Sequence, residues 1–120
     1  MSALQKPFSD AVWAGDTLYI SGQIGLDERR IVPKGLEDEA HLLMRNLQRV
    51  LTANSLAFES IVSVTIFTPD VAHFEAFNAV YLHYFTGRLP ARAFIGSGPL
   101  LFGARFELTA IAVKPPNSQH

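Results

Sequence analysis

The sequence predicts an α+β fold in which two amphipathic helices lie on one face of a five-stranded sheet. Three observations predict it. Two segments carry apolar residues at helical spacing, and several short runs of β-branched and apolar residues are bounded by glycine, proline or aspartate. The last of those runs has apolar residues in both of its alternating sets, so neither sheet face is purely polar. A chain of 120 residues can enclose one core but not two joined by a linker, so one unit spanning residues 1–120 is expected.

Taken in order, residues 11–14 and 17–23 are short and apolar-rich and flank Gly15-Asp16, residue types that reverse a chain, which predicts a β-hairpin. Residues 27–35 are charged and contain Pro33 and Gly35, as an exposed loop would. Over residues 36–54, Leu36, Ala40, Leu43, Met44, Leu47, Val50 and Leu51 step by three and four and form one helical stripe. Glu37, Asp38 and Glu39 sit in the first turn, where they oppose the positive end of the helix dipole, and Asn54 is placed to close the far end. Residues 60–68 are rich in β-branched side chains and stop at Pro69-Asp70, which predicts a strand.

A second helix is expected between Asp70 and Gly87, because Phe74, Phe77, Tyr81, Tyr84 and Phe85 repeat the same stepping, with Asn78 beside the stripe. Residues 91–96 and 105–113 read as the last two strands, separated by the glycine- and proline-containing stretch 96–103. Pro115-Pro116 ends the structured chain, and residues 115–120 are expected to fray.

Two helices cover only one face of such a sheet. In the last strand Phe106, Leu108, Ala110 and Ala112 share one parity, and Ile111 and Val113 fall in the other. The second face is therefore expected to pack on another copy of the chain. Composition agrees: 48% of the residues are hydrophobic and only 18% charged, more apolar than a chain that shares no surface needs to be.

The formal net charge of −1 supplies no positive field for phosphate backbones or anionic lipid, so neither nucleic acid nor membrane is an expected partner. The absence of cysteine excludes disulfides, thiolate metal sites and a thiol nucleophile. Residues 1–7 show no basic stretch followed by an apolar run, so no secretory signal is expected and the cytoplasm is the expected location. His41, His73, His83 and His120 have no ligand spacing and are expected to be solvated, with no metal and no cofactor. Neither a phosphate-binding glycine loop nor a Gly-x-Ser-x-Gly elbow occurs.

Pro7-Phe8-Ser9-Asp10-Ala11-Val12, Tyr19-Ile20-Ser21-Gly22-Gln23-Ile24, Phe77-Asn78-Ala79-Val80-Tyr81, Pro90-Ala91-Arg92 and Glu107-Leu108-Thr109-Ala110-Ile111-Ala112 resemble the RidA (YjgF-type) family, in order and over nearly the whole chain. The Ser-Gly-Gln and Pro-Ala-Arg segments together are a specific signal. The resemblance implies a chorismate-mutase-like, ferredoxin-like-related fold. It also implies a homotrimer whose sheets form a central β-barrel, with ligand clefts between subunits. The reaction it implies is hydrolysis of 2-enamine and 2-imine acids to 2-keto acids and ammonia, without a cofactor.

By that resemblance Arg92 holds the substrate carboxylate, a task suited to a guanidinium because its paired N–H donors match two carboxylate oxygens at any working pH. Read from its position alone, Arg92 is equally a surface residue or half of a structural ion pair. Glu107 is implied to steer protons around the attacking water; the residue reading alone favours a structural partner for an arginine, Arg92 or Arg105 included. Ser21 and Gly22, expected to end a strand, are implied to line the cleft with backbone, against the plainer account of a β-bulge. Asn78 is implied to lie at the cleft edge, though a polar residue there is also explained by solvation or a local hydrogen bond.

Phe8 stands where relatives commonly have tyrosine, and Phe94, after Ala93, where they commonly have cysteine. With Phe102 these rings predict a more apolar cleft and larger or aromatic substrates. The competing readings are a non-catalytic trimer that binds a carboxylate through Arg92, and an endoribonuclease or translation inhibitor, for which scattered arginines supply no basic stripe.

Overall fold

The structure, a computed structural model, describes residues 6–116. Five strands make one sheet in the order β1-β2-β5-β3-β4, where β1 is Ala11–Ala14, β2 Thr17–Ile24, β3 Ile61–Thr68, β4 Ala91–Gly96 and β5 Glu107–Val113. The helices are α1, Leu36–Ala53, and α2, Phe74–Tyr81. All neighbours are antiparallel except β3 and β4, which run parallel because α2 carries the chain back between them. The expected α+β architecture, two helices on one face of the sheet, is present.

The core lies between that face and the helices. Ala40, Leu43, Met44, Leu47 and Leu51 of α1 and Phe77, Val80 and Tyr81 of α2 pack on Leu18, Ile20, Val64, Ile66, Leu108, Ala110 and Ala112. Alternation puts Thr17 and Tyr19 of β2, Ser63 and Thr65 of β3, and Thr109 and Ile111 of β5 on the other face, where no element among the described residues covers them. Tyr19, Ser63, Thr65, Thr109 and Ile111 line a shallow depression there of about 210 Å³.

Asn54 closes α1 as expected: its Nδ2 donates to the Val50 carbonyl at 2.9 Å, and its Oδ1 accepts from Trp13 Nε1 at 3.1 Å. The second helix is shorter than its spacing predicts. Single 3-10 turns, Val71–His73 and Leu82–Tyr84, flank α2, the first set by the Asp70 side chain accepting from the Ala72 N–H.

The first-turn acids of α1 are not one group. Glu37 and Asp38 face solvent, but Glu39 is fully buried and accepts from the backbone N–H of Arg105 at 2.7 Å, that of Phe106 at 3.2 Å and Arg105 Nε at 2.7 Å. Arg105 also donates to the Pro33 carbonyl at 2.7 Å. A strand expected from residue 105 therefore begins at Glu107, because the two preceding N–H groups bond to a carboxylate rather than to a neighbouring strand. Gly25 permits this packing, since a Cβ there would overlap the Glu39 carbonyl.

Two histidines expected to be solvated are only partly so. The Nδ1 of His41 lies 2.8 Å from the Tyr84 hydroxyl, and His73 is half-buried with its ring 6.1 Å from that of Phe106. Both flank helix faces, where imidazole packs its apolar edges against neighbouring rings. His83 is exposed as expected. His120, the residues at the start of the chain up to 5 and the end of the fraying segment, 117–120, lie outside the described residues.

Candidate active site

Arg92 lies in β4 opposite Val64 of β3, so its side chain points to the helix-covered face. There it meets the stripe of α2 that bears Phe74, Asn78 and Tyr81, spaced i, i+4 and i+7 on one side of the helix. The guanidinium carbon stands 4.8 Å from the ring centroid of Tyr81, 5.6 Å from Phe74 and 5.7 Å from Phe94. Phe94 shares this face and packs on Phe74 and Phe77. Ala93, between them, points the other way and is paired with Thr65.

Burial in this corner leaves polar atoms without partners. The Oδ1 of Asn78 and the hydroxyl of Tyr81 are buried and accept or donate no hydrogen bond among the described residues. The Asn78 carbonyl oxygen is thus met neither by solvent nor by a local hydrogen bond, although the residue as a whole is partly exposed. Desolvation pushes the Tyr81 hydroxyl up to about 12 despite the opposing charge of Arg92, so it stays protonated at neutral pH.

Glu107 occupies the other side of the sheet. It opens β5, paired with Ile24 of β2 and Phe67 of β3, one residue from the fully buried Leu108. Beside it β2 departs from regular register between Ile20 and Gln23, the interval that holds Ser21 and Gly22. These two residues therefore lie within a strand, at a bulge, rather than at its end. A Cβ on Gly22 would overlap the Glu107 carboxyl, so the glycine makes room for that side chain. Ser21 is tied by its N–H to the Asp10 carbonyl at 2.9 Å and by its hydroxyl to the Ser9 carbonyl, which draws the segment bearing Phe8 to this edge of the bulge.

The sequence-predicted residues thus fall into two groups. Arg92, Phe94 and Asn78 sit on the helix-covered side, and Glu107, Gly22, Ser21 and the Phe8 segment gather around the open side. Glu107 pairs with neither Arg92 nor Arg105; Arg105 is engaged by Glu39, and Arg92 forms no ion pair among the described residues. Phe102 lies elsewhere again, along a groove with Arg30, Ile31 and Lys34, at a left-handed φ of 61°. Phe8, Phe94 and Phe102 consequently do not form one apolar wall within a single chain.

Tyr81 and Phe74 were legible only as members of an apolar stripe, because nothing in a one-dimensional pattern shows a cation packed on it. Glu39 carried a usable signal. It falls three residues after Leu36 and four before Leu43, on the buried stripe itself.

The profile of the Endoribonuclease L-PSP family matches residues 1–114. A mouse (Mus musculus) protein named 2-iminobutanoate/2-iminopropanoate deaminase is 41% identical over 112 residues, 92% of this chain and 83% of the relative. Among solved structures, RidA from the Antarctic bacterium Psychrobacter sp. PAMC 21119 is similar with a TM-score of 0.86 at 28% identity, covering 92% of this chain and 91% of that one. E. coli TdcF with bound serine is similar with a TM-score of 0.87 at 27% identity, covering 93% and 91%. Among the described residues no helix is long and apolar enough to cross a membrane. Sequence motifs, strand order and these likenesses agree that the chain belongs to the Endoribonuclease L-PSP family, the family of the RidA and YjgF proteins.

Proposed function

We propose that this chain hydrolyses 2-imino acids, and their enamine tautomers, to 2-oxo acids and ammonia in clefts shared by neighbouring copies of a homotrimer. The observation that carries the reading is the placement of Arg92 and Glu107 on opposite faces of one sheet. A 2-imino acid has its carboxylate on the carbon that water attacks, so one small substrate cannot touch both groups of a single chain. The rim of β4 in one copy, set against the open face of the next, brings them together. The uncovered Tyr19 and Ile111 would be buried by the same contact.

In that cleft the Arg92 guanidinium grips the carboxylate and fixes the plane of the C=N carbon. Glu107 takes a proton from water as its oxygen bonds to that carbon and the imine π electrons move to nitrogen, and it returns that proton to the nitrogen to give a neutral carbinolamine. The carbinolamine then collapses: Glu107 takes the hydroxyl proton as the oxygen lone pair forms C=O, and passes it to nitrogen as the C–N bond breaks, so ammonia leaves and the carboxylate is restored. Water is consumed, ammonia is released, and no redox partner is needed. The name of the mouse relative and the amino acid bound by TdcF support a small carboxylate as the ligand class.

Two inactive variants provide the test. Arg92→Ala and Glu107→Gln should each slow oxo-acid release by about 100-fold when an amino-acid oxidase generates imine in situ. Refolded together in equal amounts, they should recover about a quarter of the wild-type rate, since each shared site draws its two groups from different chains at random. No recovery in confirmed mixed assemblies would place both groups in one chain and overturn the shared cleft. Unchanged rates with Arg92→Ala, alongside retained ligand affinity in the wild type, would favour a binding protein.

The substrate preference proposed is for larger apolar 2-imino acids, since Phe8, in the segment tied to the bulge beside Glu107, is 55% exposed and free to meet a side chain. Turnover of leucine- and phenylalanine-derived imines should exceed that of the 2-aminoacrylate imine. A strong preference for 2-aminoacrylate would refute this.

A further inference from the structure

An arginine is ordinarily held in place by a carboxylate, and the same contact occupies its N–H donors and offsets its charge. Arg92 is held differently. No acidic side chain pairs with it among the described residues, and its guanidinium lies among the rings of Phe74, Tyr81 and Phe94, all within 6 Å. Phe74 and Phe94 meet edge to face, centroids 5.0 Å apart at 88°, and Phe94 also packs on the buried Phe77, so the rings brace one another.

We propose that Phe74, Tyr81 and Phe94 are positioning residues for Arg92, an aromatic clamp that orients the guanidinium while leaving its charge and N–H donors free for a carboxylate ligand. The inference rests on the reading of Arg92 as the carboxylate-binding group and adds what sets its affinity. A ring face attracts a cation through its quadrupole but offers no acceptor to the in-plane N–H bonds. Orientation is thereby gained without a competing anion. Tyr81 does not become one at neutral pH, because its hydroxyl remains protonated. That hydroxyl and the Asn78 Oδ1 are both unpartnered in the same corner, so nothing there answers the cation before a ligand arrives.

Calorimetric binding of 2-oxobutanoate to the full chain, together with imine hydrolysis, tests the clamp. Phe74→Leu and Tyr81→Leu should each weaken binding and raise KM by about tenfold, with kcat changing less than about threefold. Tyr81→Phe, which keeps the ring, should stay within about threefold of wild type. Phe74→Glu should weaken binding more than Phe74→Leu does, because an acid restrains the guanidinium but competes with the ligand.

Wild-type binding by Phe74→Leu and Phe74→Glu, with binding abolished by Arg92→Ala, would overturn the clamp and leave the functional reading standing. Undiminished binding by Arg92→Ala would overturn both. A loss in Tyr81→Phe equal to that in Tyr81→Leu would assign the effect to the hydroxyl and overturn the role of the ring. Phe74 is 42% exposed, so its variants decide the matter even if Tyr81→Leu does not fold.

Discussion

On the helix-covered face of the sheet Leu18, Val64, Ile66 and Leu108 are all but inaccessible, whereas on the opposite face of the same strands Tyr19, Thr65, Phe67 and Ile111 keep part or most of their surface. Both faces follow the same two-residue alternation. They differ in what this chain can do for each: α1 and α2 bury the first, and nothing in the described chain buries the second. The candidate groups divide the same way, with Arg92 packed against rings on one side and Glu107 beside a glycine on the other. A face completed by its own chain provides rigidity and a held cation; a face left uncovered is where the proposed contact with another copy would form.

The largest effect expected from this contrast is in stability. Leu108→Ala should cost about 3–4 kcal/mol in denaturant unfolding at any protein concentration, because it opens a cavity under the helices. Ile111→Ala, next but two along the same strand, should cost less than about 1 kcal/mol in the dilute chain and show its effect as a midpoint that varies with protein concentration. Equal and concentration-independent losses would mean the open face is not an interface.

Next comes the link between the faces. Glu39→Gln should cost about 3 kcal/mol, since it removes the buried charge that gathers Arg105 and the two backbone N–H groups ahead of β5. Those bonds set where β5 begins and so which residue parity faces outward; the variant should therefore also lower hydrolysis at a temperature where it remains folded. Full activity would show that β5 holds its register through its neighbours alone.

The buried phenol gives a smaller effect confined to alkaline pH. The folded-state value of Tyr81, about 12, lies above the unfolded value of 10.0, so folding holds the proton more tightly. Stability from this group is complete below pH 10 and lost as pH rises toward 12, about 2–3 kcal/mol in all. Unfolding of Tyr81→Phe over that range should be flatter by this amount, and an identical pH dependence would show the hydroxyl to be solvated. The smallest effect is on the open face: Gly22→Ala should leave stability within about 1 kcal/mol, because only the flexible end of Glu107 is displaced, yet lower kcat by about tenfold.

Much of the fold was legible because it depends on local period. The α1 stripe, the hairpin around Gly15-Asp16 and the parity of β5 are all patterns within one element, and each appears where the spacing places it. The relation of Arg92 to Glu107 was not. Glu107 comes fifteen positions after Arg92, but a stretch with three glycines and a proline intervenes, and β3 lies between their strands, so counting parity along the chain cannot carry across. The Ser21-Gly22 bulge was hidden for a related reason, since a bulge is defined by the partner strand it fails to match.

The sequence by itself determined the helices, the strands, the family motifs and the surplus of apolar surface, because these follow from the types and spacing of neighbouring residues. Only the tertiary structure decided which charged groups are held by what: Glu39 buried against Arg105, Arg92 among three rings, Glu107 across the sheet from it. Such pairings are contacts between residues far apart in the chain, chosen by strand order and packing, and no local period encodes them.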